Sequence, residues 1–157
     1  MSMSLILRII GGGLIALVCA YVGVLVKRRY KTREKFFKDA CDYFSFFEKE
    51  LTFKKTPLPE INKAFAKTRD GDFALLVANS AEKPRLSFLK PDEKQSVDSA
   101  LAGLGKSVYD EQVAFVKRWQ AEFKEKADKC ASENKKYGGM YFKLCVLLGI
   151  ALLILIA

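Results

Sequence analysis

Two apolar segments, each bordered on its inner side by lysine and arginine, constrain this 157-residue chain more than any other feature. Residues 9–26 carry no charge, hold ten Leu, Ile or Val, and run into Lys27-Arg28-Arg29-Tyr30-Lys31. Residues 144–157 hold another ten, preceded by Lys135, Lys136 and Lys143. At roughly 0.3–0.6 kcal/mol per Leu, Ile or Val, each segment favours a bilayer by about 3–6 kcal/mol. Basic flanks prefer the cytoplasm, which places everything between the segments on that side. The pattern predicts an all-α protein, an antiparallel cytoplasmic helical bundle between an N-terminal and a C-terminal transmembrane helix. The expected divisions are a short non-cytoplasmic N-terminus at 1–8, a first span at 9–26, a cytoplasmic domain at 27–140 and a second span at 141–157.

Charge is distributed as this topology requires. The chain carries 27 basic and 18 acidic residues, a net +9. Residues 27–38 contribute +6 and residues 124–143 contribute +3, whereas residues 39–123 sum to −1. The positive excess therefore lies beside the apolar segments, where it attracts anionic headgroups of the lipid bilayer. A nucleic-acid surface would need it spread over a face of the domain, so no nucleic-acid partner is expected.

The first apolar segment is longer than a secretory signal's core, and Val24-Leu25-Val26 is no small-residue cleavage site. Bulky Leu17 and Val18 before Cys19 exclude a lipoprotein signal. The second segment is shorter, since fourteen residues reach about 21 Å against a hydrocarbon core near 30 Å. Starting it near Met140 lengthens it, with Lys143 snorkelling beside Tyr141 and Phe142. Within the first segment Gly12, Ala16 and Ala20 form a smooth ridge for close helix packing, and the partner could be the C-terminal helix.

Histidine is absent, which removes the usual general base and the commonest metal ligand. The four cysteines, Cys19, Cys41, Cys130 and Cys145, make no C-x-x-C pair. A cytoplasmic domain keeps its thiols reduced. No metal, cofactor or catalytic constellation is expected, and the reading is non-enzymatic.

Between the apolar ends the chain reads as helices. Apolar residues recur at Phe36/Phe37, Ala40/Cys41, Phe44, Phe47 and Leu51, a helical spacing that could continue from the first span. Thr56-Pro57-Leu58-Pro59 breaks the run and starts a helix with Leu58, Ile61, Phe65 and Ala66 on its face. Asp70-Gly71 turns the chain, Asp72 is placed to cap a short helix through Phe73, Leu76 and Val77, and Lys83-Pro84 ends it. Pro91-Asp92-Glu93 opens another, with Val97, Leu101 and Leu104 inward and Gly103 to Gly105 at its end. The last helix of the head carries a stripe of Val113, Val116, Trp119, Phe123, Ala127, Cys130 and Tyr137, with one gap, suited to antiparallel packing on the phenylalanine face of the first. Ala100-Leu101-Ala102-Gly103-Leu104-Gly105-Lys106-Ser107 has the outline of a phosphate-binding loop, but no buried strand precedes it. Ser107 with Asp110 reads instead as a capping box.

Two motifs carry a family resemblance. Glu50-Leu51-Thr52-Phe53-Lys54-Lys55-Thr56-Pro57-Leu58-Pro59-Glu60 resembles the E-I-x-[YF]-x-x-T-P-L-P-E element of the stage III sporulation protein AB family. Leu104-Gly105-Lys106-Ser107, followed by Asp110 and Gln112, resembles its L-G-x-S-D…Q element, departing from it where Val108-Tyr109 separates Ser107 from Asp110. Lys136-Tyr137 and the Gly149-punctuated end resemble its C-terminal anchor.

The resemblance implies a platform subunit of the secretion-like complex joining mother cell and forespore, similar to the helical cytoplasmic domains of type II secretion F and type IV pilus platform proteins. It implies a multi-pass cell-membrane protein with its head in the mother-cell cytoplasm. Its partners would be the channel's secretion-type ATPase and other membrane proteins of the complex, and oligomers are compatible with it. Thr56, Pro57, Leu58, Pro59 and Glu60, with Ser107, Asp110 and Gln112, are the partner-binding residues expected. The alternative is a membrane-anchored helical sensor, or a generic interaction protein, without an ATPase partner.

Overall fold

The structure is a computed structural model that describes residues 3–78, 84 and 86–156. The expected break at Lys83, the first two residues of the expected N-terminus and the last residue of the second segment lie outside the described residues. Among the described residues six α-helices follow in order: α1 (Met3–Phe53), α2 (Leu58–Thr68), α3 (Asp72–Val77), α4 (Pro91–Ala102), α5 (Tyr109–Glu133) and α6 (Gly139–Ile156). A π-helical turn, Asn134–Gly138, joins the last two, and no strand occurs among the described residues. By contacts the chain divides into two units. One is Thr32–Cys130; the other gathers the described residues up to Lys31 with those from Ala131 onward.

The Thr32–Cys130 unit is built on an aromatic core. Phe36, Phe37, Tyr43, Phe44 and Phe47 of α1 are buried, as are Val116, Phe123, Ala127 and Cys130 of α5. Each buried Phe or Val contributes about 1.5–3 kcal/mol of transfer free energy. The ring of Phe123 lies 6.1 Å from Phe37 and 5.3 Å from Phe44. Farther along, Gln120 donates through Nε2 to Ser45 Oγ at 2.7 Å, and Lys117 pairs with Glu48 at 3.6 Å. Rising numbers on α1 meet falling numbers on α5, so the two run antiparallel.

Short helices close the other side. Ile61 and Phe65 of α2, Phe73, Ala74 and Val77 of α3, and Val97 and Ala100 of α4 are all buried. Tyr43 holds this layer together. Its ring contacts Phe65 and Phe73 at 5.1 and 5.5 Å, and its hydroxyl donates to Asn62 Oδ1 at 2.6 Å. Burial pushes the phenol well above its usual range.

Two local expectations need correction, and one irregularity of the sequence finds its cause. Gly71 precedes the first turn of α3, so Asp72 is its first helical residue and makes no side-chain cap. Helix α5 opens at Tyr109, which puts Val108 before it and leaves Ser107 one residue too early for a capping box with Asp110. The gap in the last stripe is the π-helical turn: Cys130 belongs to α5 and Tyr137 to the turn, where the i→i+5 bonding shifts the helical phase.

In the other unit α1 and α6 pair antiparallel. A Cβ built on Gly149 would sit 3.2 Å from Ala16 Cα and 3.4 Å from Cys19 Cβ. One built on Gly23 would sit 3.3 Å from Cys145 Cβ. Gly12 is buried, and Ala16 and Ala20 are half-buried. Away from the seam Leu17, Val18 and Tyr21 stand 60–69% exposed, and Leu147 and Leu148 stand 57–62% exposed. By length and composition α1 alone, among the described residues, is apolar enough to cross a membrane, with a window of mean hydropathy 2.0. Helix α6 begins at Gly139, earlier than the apolar composition suggests, and its 18 residues extend about 27 Å.

Candidate functional site

Both motifs of the sequence fall in turns of the Thr32–Cys130 unit, and the fold brings them together. The first is the corner between α1 and α2. Lys55 takes a left-handed conformation with φ 50°, which only a sharp change of direction requires. Thr56 Oγ1 donates to Glu50 Oε2 at 3.0 Å, and Lys54 Nζ donates to Glu50 Oε1 at 2.9 Å, tying the corner back to the last turns of α1. These bonds hold the Glu50 carboxyl below its usual range, Lys54 first and Thr56 after it. Pro57 precedes α2, and its carbonyl accepts from the N–H groups of Glu60 and Ile61. Pro59 occupies the first turn, where a missing N–H costs nothing.

The second motif is the turn from α4 to α5. Gly105 has φ 75°, the left-handed region that glycine enters without a side-chain clash. Its N–H donates to Gln112 Oε1 at 3.1 Å, and the Ser107 N–H donates to the same oxygen at 3.4 Å. Gln112 is 3% exposed, and its Nε2 has no hydrogen-bond partner. On Gly103 the Phe115 ring packs so closely that an added Cβ would lie 2.2 Å from Cζ.

Leu58 joins the two. Its Cδ2 lies 3.5 Å from the position a Cβ on Gly105 would take. The fold thus divides the expected residues by role. Leu58 and Gln112 point inward and shape the junction, and Thr56 is half-buried. Pro57, Pro59, Glu60, Ser107 and Asp110 are exposed.

Exposed apolar residues flank both turns and escaped the sequence reading. Phe53 is 81% exposed, Val108 73% and Tyr109 42%. Phe53 stands two residues after Leu51, off the inward stripe of α1, and this phase error was the available signal. Val108-Tyr109 is the pair by which the second motif departs from the family pattern. Such a surface offers backbone turns and apolar side chains for contact. Among the described residues, no group of three or more Cys, Asp or Glu is placed to hold a metal ion.

An all-helical chain, with an aromatic-cored unit whose two turn motifs meet and a second unit of paired apolar helices, is the class that this geometry defines. A family model described as stage III sporulation protein AB matches residues 8–87 and 80–157, and the chain belongs to that family of sporulation proteins. The two motifs lie one in each matched segment. No curated protein and no solved structure matches the chain.

Proposed function

We propose that the protein is a membrane platform subunit of the mother cell–forespore secretion-like channel, and that its helical head docks the cytoplasmic secretion-type ATPase. The observation that carries this reading is the junction of the α1–α2 corner with the α4–α5 turn. Two motifs about 50 residues apart converge through Leu58 and Gly105, with exposed apolar and charged residues beside them. Membership in the sporulation family supplies the setting. The apolar helix pair, flanked by exposed lysines and arginines, supports a multi-pass anchor with the head on the cytoplasmic side. The role is that of a scaffold, coupling a motor to a channel by contact.

Glu60 tests the docking surface because its exposed side chain leaves the core untouched. Glu60→Lys should abolish capture of the ATPase from sporulating cells while leaving the chain in carbonate-washed membranes. Undiminished capture by the variant would remove the corner from the interface. Digestion of the head by protease added outside intact cells would reverse the topology.

A further inference from the structure

We propose that the cations where α1 and α6 leave their apolar stretches form one binding site for the headgroups of anionic phospholipids; this rests on the membrane-anchored reading above. In the sequence they are two separate flanks. Antiparallel pairing makes them one collar. Gly23 faces Phe142 and Cys145, and one turn later Lys27 reaches the opposite helix. Its Cγ lies 3.9 Å from the position of a Cβ on Gly138, and its ammonium lies 5.9 Å from the centre of the Phe142 ring. Lys27, Arg28, Arg29 and Lys31 therefore stand within about two helical turns of Lys135, Lys136 and Lys143 along the paired helices.

All seven side chains are exposed. The unit that holds them contains one acid, Glu133, and with Arg8 it carries +7 of the chain's +9. Arg29 and Glu133 already take part in interactions. So many like charges close together repel each other, and the unit's single acid is too few to offset them. The compensating anions must come from outside.

The surroundings select a lipid over a soluble anion. Directly beside the collar are exposed apolar side chains, Val22 and Leu25 on α1 and Leu144 and Leu147 on α6, suited to acyl chains. Tyr137 and Tyr141 lie 6.2 Å apart at the same level, where amphipathic rings favour the headgroup region. The π-helical turn Asn134–Gly138 carries Lys135 and Lys136, and the Lys27 stem lies against its buried Gly138. Gly139 has open space where a side chain would be. Basic clusters between membrane helices on the cytoplasmic side are a recognised setting for phosphate headgroups.

The test uses the full chain in neutral detergent, with bound lipid counted by native mass spectrometry. Phosphatidylglycerol should be retained over phosphatidylcholine by about tenfold or more. Replacing Lys27, Lys135 and Lys136 together by Gln should lower that preference by about fivefold or more, the effect of losing at least one lysine near a headgroup. The same change at Lys63, Lys67 and Lys94, exposed lysines of the head, should leave it intact. Equal retention of the two lipids, loss of the preference in the head variant, or full displacement by millimolar inorganic phosphate each overturns the proposal. Carbonate extraction from phosphatidylcholine vesicles separates the two readings. A chain that stays in those vesicles without preferring phosphatidylglycerol refutes the collar alone, whereas one that is extracted refutes the membrane anchor and the collar with it.

Discussion

The guanidinium of Arg33 and the carboxylate of Glu93, 60 residues apart, meet as a buried two-pronged ion pair between α1 and α4. Arg33 Nε donates to Glu93 Oε2 at 2.9 Å and to Oε1 at 3.1 Å, and its Nη2 donates to Oε1. Both side chains are about 94% buried. Glu93 Oε2 also accepts the Lys90 N–H at 3.0 Å, half of a capping box for α4, to which the Lys90 side chain adds no acceptor.

Removing one partner should therefore cost far more than removing both. Arg33→Met or Glu93→Met alone strands a buried charge, a loss of about 3–5 kcal/mol. The double replacement should recover most of it, since a packed apolar pair replaces the ions at similar volume. Thermal unfolding of the full chain in detergent reads the cycle, and additive losses would show that the two groups do not interact.

Gln112 should respond to substitution through its oxygen. Gln112→Ala leaves the Gly105 and Ser107 N–H groups without their acceptor, at about 1–3 kcal/mol. Gln112→Glu keeps an acceptor in the first turns of α5, where the helix dipole favours a carboxylate, and removes the unpartnered NH₂. A markedly smaller fall in Tm for Glu than for Ala is expected. The reverse order would mean that the amide donor matters more than the oxygen.

Asp39 gives the head a pH dependence of defined sign. It is 6% exposed, and burial holds its carboxyl above the usual value of 3.8 against the opposing pull of Lys35 and Arg69, with Asp42 and Asp72 adding to the rise. The native state then keeps a proton that the unfolded chain has already released, so this contribution to stability falls as pH rises from about that value. Asp39→Asn should raise Tm at neutral pH relative to the parent and flatten its decline above pH 4. Parallel Tm–pH curves for the two proteins would contradict the assignment. Gly71 belongs to the same arrangement, because a Cβ there would lie 2.8 Å from Asp39 Oδ2.

The α1–α6 seam predicts where cysteines will join. Cβ positions 3.3 Å apart at Gly23 and Cys145, and 3.4 Å apart at Gly149 and Cys19, are close to the spacing of about 3.5–4.5 Å that a disulfide bridges. Under mild oxidation Gly23→Cys should link to Cys145, and Gly149→Cys to Cys19. Cleavage within the head would then leave both fragments joined until reduction. Gly13→Cys, with nothing within 4 Å, should not link. Efficient linkage at Gly13 with none at Gly23 would rule out this register.

Much of the fold was legible along the chain. Helical spacing of the phenylalanines marked the inward face of α1, and Pro57 and Pro59 marked the start of α2. These are local signals, set by the helical period and by what proline does to a backbone. The errors were local too. Asp72 and Ser107 are good capping residues by type, but whether they cap depends on the residue at which the helix begins. Phe53 and Val108 belong to no inward stripe, and helical phase and the turn's path leave them exposed.

The sequence by itself determined the helical class, the apolar ends with their basic borders, the two turn motifs and the family. A residue's hydrophobicity and its spacing from near neighbours suffice for those. Only the tertiary structure decided that Leu58 lies against Gly105, that Arg33 finds Glu93, that Gln112 reaches back to the preceding turn, and that Lys27 joins the cations across the seam. Periodicity specifies which face of a helix turns inward but not its register against a distant partner. That register is chosen when all the faces are packed at once.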